Sequence, residues 1–504
     1  MHLSKKEILQ AVSAFRKKAQ LSYSSGDLVK TLYWIDLCCI VGSQFNLLYE
    51  DPAIERLYLQ IARDLYRPVD DFIPNPNRIV FYDEFCISYV LGIQWITALA
   101  KTGKEILYIT TREIDDDSLR ANILDRVREF ENVQITVISE ASAPSTGQAL
   151  FKTITDFHPS QLVLQMRVNS PANLMLSALP KAIIRYNINL DDQTLWYGTQ
   201  GIDYILEFRP FGASVSIQKR GSSPNKLLMV PFYPADDKNA FLGYPEECSS
   251  DKLVIFSGGD FYKTLDEKGQ YWHLVKSILN RWDNVVFLFA SKSIPEGDQV
   301  INDFIAQNGF ERRFIHISFR PDIYQVFAHC DIYMGTCPTS GSLMSQLAAI
   351  NKKPILQFYA AGTPDDETEQ AICWNQQFRI SFDNQNDFLA EAGRLIDDAS
   401  YRKSQGEKLY DAILKPSQFN DIVRKTLETN QSQFSISEYE IDYDSLDDRW
   451  YFLEKGGFRH TMSYVYGLLG AWDCLKYAPS IFFKKNFNRF IINYSKRIWS
   501  WLCH

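Results

Sequence analysis

Apolar residues along this chain change their period once, near residue 74. Before that point, "LVKTLYWIDLCCIVGSQFNLLY" and "AIERLYLQIARDLYRP" repeat apolar positions every three to four residues, which predicts helices across residues 1–72. "PNPN" at 74–77 then interrupts the pattern. From Arg78 onward, short apolar runs alternate with helical stretches. "RIVFYD" precedes a helix through "CISYVLGIQWITALAKTG", "EILYIT" one near 116–130, and "VQITVIS" one near 146–156; "QLVLQM", "AIIRYNI" and "DYILEF" follow.

"VPFYPADDKNAFLGYPEECSSD" (230–251) has the Pro, Gly, Ser and acidic content of a linker. After it the alternation restarts. "KLVIFSGG", "NVVFLFA", "RFIHIS", "CDIYMG" and "KPILQF" read as strands, with helices near 269–281, 297–308 and 321–329 and another in "SLMSQLAAI". Residues 385–427 read as closing helices, followed by the acidic "SISEYEIDYDSLDDR" (435–449) and an aromatic-rich tail.

Strands alternating with helices build right-handed βαβ units on a parallel sheet covered on both faces. The chain is therefore expected to be α/β, with two Rossmann-like domains facing across a cleft. The boundaries are a helical extension at 1–73, a first domain at 74–235, a second at 250–427, and an acidic linker with helical tail at 428–504. At 504 residues, more than one core is expected.

Composition narrows the function classes. A net charge of −8 lacks the basic footprint of a general nucleic-acid binder. Nine cysteines at irregular spacings, without CxxC pairs, fit reduced buried thiols and no zinc site. The first residues alternate charge with apolar positions and do not form a signal peptide; no run is long enough to span a bilayer. The expected location is the cytoplasm. His158, His273, His316 and His329 sit in or beside predicted elements and read as structural. The acidic triplets "DDD" (115–117) and "DYD" (442–444) fall in polar turns and are not taken as metal sites.

Ligands of open α/β sheets bind beyond the strands' carboxyl ends, so three loops matter. "SGGDFYKT" (257–264) offers Gly258 and Gly259 for close backbone approach and Lys263 for an anion; it can equally be a turn with a solvent-facing lysine. "CPTSGSLMSQLAAI" puts Ser340, Gly341 and Ser342 at a helix start, either as an anion cradle or as an ordinary cap by Thr339 or Ser340. In "YNINLDDQTLWYGTQGIDYILEFRPFGA" (186–213), Asp191 and Asp192 at a strand end can supply a general base or cap a helix. Arg209 there can hold an anion or brace its turn.

These segments together resemble bacterial GT-B glycosyltransferases of the group that assembles capsule, lipopolysaccharide and other surface glycans. The resemblance rests on "NLDDQTLWYG" with "DYILEFRPFG", on "SGGDFYKT", and on the strand-turn-helix from Cys330 to Leu356, and it covers roughly 78–425. It implies a nucleotide-sugar donor held by the second domain and an acceptor presented by the first. Gly258, Gly259, Lys263, Ser340, Gly341 and Ser342 would meet the donor diphosphate, and Asp366 or Glu367 the ribose. Asp192, with Asp191, would be the base, and Asn189, Gln193, Trp196 and Arg209 the acceptor side. The reaction would need no bound metal and no cofactor beyond the nucleotide-sugar co-substrate. Two departures stand out: many relatives carry histidine where this chain has Gln193 and Leu190, and the E-x7-E motif of retaining members is missing.

The tail from 479 to 504 has aromatics on one helical face and Lys484, Lys485, Arg489, Lys496 and Arg497 on the other. Such a helix can lie on an anionic inner leaflet, or pack back on the protein. The acceptor would be a glycan, a lipid-linked glycan or a protein. The rival readings are a non-catalytic GT-B-like subunit, suggested by Gln193, and a nucleotide-sugar epimerase.

Overall fold

The computed structural model describes residues 5–45, 47–86, 91–111, 118–233, 239–248, 251–318, 320–359, 366–372, 379–455 and 471–477. The "DDD" triplet and the basic tail lie outside the described residues.

Three helices open the chain: α1 (Lys5–Ser24), α2 (Leu28–Phe45) and α3 (Pro52–Leu65). Asp51 caps α3 by accepting from the Ala53 and Ile54 N–H groups, and Pro52 occupies the first turn, where a missing N–H costs nothing. Arg16 of α1 pairs with the buried Asp51 carboxylate at 2.9 Å, which fixes α1 on α3. Among the described residues, α2 alone is long and apolar enough to cross a membrane by length and composition. Here Ile35, Leu37, Cys38, Cys39 and Val41 instead bury against α1, α3 and Leu195. Gly42 permits this closeness: a Cβ there would meet Leu195 at 2.4 Å.

The first sheet follows. Its strands are β1 (Asn75–Asp83), β2 (Glu105–Thr110), β3 (Val133–Val137), β4 (Pro159–Gln165), β5 (Ile184–Ile188), β6 (Tyr204–Glu207) and β7 (Leu227–Met229). Helices α4 (Gly92–Ala100), α5 (Ser118–Arg128), α6 (Ala143–Phe157) and α7 (Pro210–Gln218) connect them. The strand order is β3-β2-β1-β4-β5-β6-β7, and every pairing is parallel. Glu55 of α3 pins the helical extension to this domain by accepting the Gly198 N–H at 2.8 Å and, more loosely, those of Thr199 and Gln200.

The second sheet holds β8 (Leu253–Gly258), β9 (Val285–Ala290), β10 (Phe314–Ile317), β11 (Ile332–Met334), β12 (Ile355–Phe358) and β13 (Ser381–Phe382), in the order β10-β9-β8-β11-β12-β13. It too is parallel throughout. Between its strands run α8 (Gln270–Arg281), α9 (Pro295–Asn308), α10 (Ile323–His329), α11 (Ser342–Ile350) and the one-turn α12 (Glu367–Gln370). Helices α13 (Gln385–Asp397), α14 (Ala399–Ala412) and α15 (Pro416–Thr429) close the domain, and α16 (Tyr443–Lys455) and α17 (Ala471–Tyr477) come last.

Three segments depart from the sequence expectation. The start of the supposed linker is core: Val230, Phe232 and Tyr233 are buried, and Phe232 stacks on Phe208 at 4.4 Å. Helix α15 returns to the first domain, where Phe419 meets Trp95 and Tyr233 edge-on and Gln161 donates to the Leu427 carbonyl. The acidic stretch then crosses α7 as an ordered strap. Gln218 donates to the Tyr439 carbonyl, the Tyr439 N–H donates to Ser214, and α16 follows.

Candidate functional site

Strand order locates the site. The second sheet is built outward from β8 in both directions, so β8 and β11 flank its switch point, where helix N-termini leave a crevice. The loops after these strands are "SGGDFYKT" and "GTCPTSGS", and they touch: the Thr339 N–H donates to the Lys263 carbonyl at 3.4 Å. Both glycines of the first loop have a geometric reason. A Cβ on Gly258 would meet the Ala290 carbonyl at 2.9 Å, and Gly259 holds φ +143°, a conformation side chains disfavour. The Lys263 side chain folds back over Gly259.

Helix α11 begins at Ser342 after Gly341, and no side chain caps it. Thr339 and Ser340, the expected capping residues, do not bond its N–H groups; the Thr339 carbonyl instead accepts from Thr336 at 2.8 Å. The first-turn N–H groups of α11 therefore keep their capacity for an anion.

The first domain contributes Arg209 at the foot of α7. Its guanidinium grips the Asp192 carboxylate with two nitrogens, at 2.6 and 3.1 Å, and reaches Glu367 of the second domain at 2.6 Å and Ser342 Oγ at 3.5 Å. Phe208 and Phe211 stack against it. Burial works against its charge, but Asp192 and Glu367 more than offset this, so its pKa is raised. The structure thus joins Asp192, Arg209, Ser342 and Glu367 in one contact chain across the two domains. The Lys263 ammonium makes no ion pair or hydrogen bond with any described residue. Burial lowers its pKa, the charges of Asp260 and Glu367 oppose that shift, and Arg209 adds to it.

Behind this chain lies a buried polar network that sequence patterning did not reveal. Asn189 donates to both oxygens of Glu207 at 3.0 Å, Ser216 also donates to Glu207, and Arg220 donates to Ser216 and to the carbonyls of Asp191, Asp192 and Thr194. Gly212 makes the packing possible. A Cβ there would sit 2.7 Å from Glu207 Oε2 and 2.8 Å from Asp192 Cβ, which explains the glycine of "RPFG". The signal for Glu207 was present: it is a lone carboxylate closing the otherwise apolar strand "YILE". Asp83, also missed, ends β1 and accepts from the Phe85 and Cys86 N–H groups and from Tyr108 Oη.

Burial pushes the Glu207 carboxyl up to about 7, against the pull of Ser216, Arg220 and Asn189, with the charge of Asp192 adding to the rise. Between its ordinary 4.5 and about 7 the folded protein keeps a proton that the unfolded chain has lost. That stability is complete below about 4.5 and disappears as pH rises through 7. Glu207→Gln is therefore expected to gain on the wild type as pH increases from 5 to 8, by on the order of 3 kcal/mol in unfolding free energy measured with urea.

The other expected residues divide. Gln193 lines a small cavity where both domains and α16 meet, together with Tyr262, Leu265, Pro338, Thr339, Leu446 and Leu453. Asp191 is half-buried; burial and the charge of Asp192 push its carboxyl up to about 6, and Arg220 pulls it down. Asn189 and Trp196, expected on the acceptor side, lie inside the domain instead. The first is held by Glu207, and the second packs among Met175, Leu176 and Ile202. Asp366 accepts from Gln370 and from Tyr439 Oη of the strap. The histidines have structural surroundings: His158 stacks on Phe72 and His329 on Phe241, and His316 bonds Ser291.

No protein-family model matches this chain, and no curated protein matches it. Solved structures do. A mutant of the Thermobaculum terrenum O-GlcNAc transferase aligns with 88% of this chain and 85% of its own at a TM-score of 0.52 and 13% identity. A glycosyltransferase from Rickettsia africae aligns with 70% of this chain and 97% of its own at a TM-score of 0.52 and 12% identity. At such identities the likeness concerns the fold, which is GT-B: two parallel-sheet domains with the crevice between them.

Proposed function

We propose that this GT-B chain is a glycosyltransferase that moves a sugar from a nucleotide-sugar donor to an acceptor hydroxyl. The observation that carries the reading is the gathering of Lys263, Arg209 and the uncapped start of α11 at the switch point of the second sheet. A departing nucleoside diphosphate develops charge on its phosphate oxygens, and fixed cations and helix N–H groups offset such charge without reorganising. Because these groups are already in place, we read the transfer as metal-independent. Gly258 and Gly259 let the backbone approach the phosphates, Ser340, Gly341 and Ser342 face them, and Asp366 stands on the ribose side.

Asp191 is our candidate for the base. Asp192 has both carboxylate oxygens engaged by Arg209, whereas Asp191 is held near neutrality, where a general base works best. The sugar in the name of the Thermobaculum neighbour, GlcNAc, is one candidate for the group transferred. The resemblance to surface-glycan enzymes supports a glycan, lipid-linked glycan or protein acceptor met at the cytoplasmic face of the membrane, with residues 479–504 as the contact.

A thermal-shift panel of UDP-, GDP-, CMP- and dTDP-sugars tests the reading. The specific donor should stabilise the protein by about 2.7 kcal/mol at a hundredfold excess over its Kd. Lys263→Met should keep the unliganded melting temperature and bind that donor about tenfold or more weakly, the scale of one hydrogen bond to a charged group. No stabilisation by any of the four classes would remove the donor site and favour the non-catalytic subunit.

A further inference from the structure

The two ends of Arg209 are held differently. Toward the first domain, Nε and Nη2 bind both oxygens of Asp192, whose side chain is 3% exposed. Toward the crevice, Nη1 meets one oxygen of Glu367, whose side chain is 13% exposed, with Ser342 Oγ alongside. A two-pronged, deeply buried pair is the durable one; a single contact nearer the solvent is the exchangeable one. The charges say the same. Arg209 and Lys263 are balanced by Asp192 and Glu367, with Asp260 as a further carboxylate near Lys263. A diphosphate entering beside Ser342 would meet a site with no positive surplus and a carboxylate already on the crevice side of Arg209.

We propose that Glu367 is a placeholder for the donor diphosphate: its carboxylate occupies the Nη1 face of Arg209 until a phosphate oxygen takes that face. Arg209, read from sequence as an acceptor-side residue, then becomes a diphosphate ligand supplied by the first domain. Its exchange of partners couples donor binding to the contact between the domains. Asp192 does not leave; it keeps the guanidinium oriented throughout. The charge of Glu367 already favours the protonated form of Lys263, so the released carboxylate keeps a cation within electrostatic reach. This rests on the glycosyltransferase reading above and adds to it a named cation and a named competitor.

Calorimetric titration of the full chain with UDP and GDP, and with uridine and guanosine as phosphate-free controls, tests the exchange. Glu367→Gln removes the competing charge and keeps the side-chain shape. It is expected to bind the preferred nucleoside diphosphate about tenfold tighter, with nucleoside affinity unchanged. Arg209→Met with Asp192→Leu, which replaces the buried pair by apolar groups and leaves no orphan charge, should weaken diphosphate binding at least tenfold. Adding Glu367→Gln to that pair should give no gain, because the gain requires Arg209. A Glu367→Gln protein that loses affinity for diphosphate and nucleoside alike would make Glu367 a ribose ligand and overturn the exchange. Unchanged diphosphate affinity would overturn it too. If the wild type bound neither diphosphate, this proposal would fall, and the donor site would fall with it only where all four sugar classes of the thermal-shift panel also fail to stabilise; binding in the wild type with no effect of Glu367→Gln fells the exchange alone.

Discussion

Arg209→Met alone is expected to lower the unfolding free energy by about 3–5 kcal/mol, read as a drop in the urea midpoint at unchanged slope. The reason is the charge left behind. Asp192 is 2% exposed, and Arg209 supplies both hydrogen bonds recorded for its carboxylate oxygens. Without the guanidinium, a carboxylate stays buried beside Gly212 and Glu207, another acid. Glu367 loses the same partner across the crevice. Combining Arg209→Met with Asp192→Leu should restore most of the loss, since a buried pair exchanged for apolar groups of similar size is often close to neutral. A single variant as stable as the wild type would show that Asp192 finds another donor or takes up a proton at little cost, and that the pair does not hold the crevice together.

That ion pair also marks the limit of what the sequence discloses. The alternation of apolar runs and helices is a local signal, and it places β1 to β6 and β8 to β12 because each strand is a short apolar run bounded by turn residues. The two-residue β13 is too short to carry such a signal, and β7 escapes it because the apolar run "LLMV" stops at Pro231, at the start of the segment with linker composition. Helix α7 hides for another reason: "PFGASVSIQ" contains Pro and Gly and few strong helix formers. It forms because Pro210 sits in the first turn and Gly212 fits between Glu207 and Asp192. Tertiary space decides there, not propensity.

The site divides along the same line. "SGGDFYK" and "PTSGS" were legible because a glycine or small residue after a strand and before a helix has a local meaning. Their mutual contact through Thr339 and Lys263 depends on β8 and β11 being neighbours, which only the sheet order shows. Arg209 and Glu367 are 158 residues apart, and no spacing rule links them. Asn189 and Trp196 belong to the same motif as Asp192, yet their side chains turn into the domain. A motif identifies a segment; which of its side chains faces the ligand is settled by the pleat and the packing behind it.

Asp191→Asn is expected to reduce sugar transfer by about 10²–10⁴-fold at saturating donor, the usual contribution of a general base. Asparagine has nearly the same volume and cannot accept the acceptor's proton, so donor affinity should stay close to wild type, while stability should gain on the wild type as pH rises from about 4 to 7, as for Glu207→Gln. The pH profile gives a second, independent reading. A carboxyl pushed up to about 6 is deprotonated above that value, so wild-type kcat/KM should be flat above pH 7 and fall about tenfold per pH unit below 6. In Asp191→Asn that acid limb should vanish from the residual rate. Asp192→Asn would behave differently: it loosens Arg209, so it should weaken donor binding and stability together and leave the acid limb in place. An Asp191→Asn enzyme with full activity and an unchanged pH profile would move the base elsewhere. Gln193 cannot replace it, because an amide side chain offers no proton-accepting group with a pKa near neutrality. The search would then turn to Asp83, a buried carboxyl at the end of β1 that burial also pushes up to about 6.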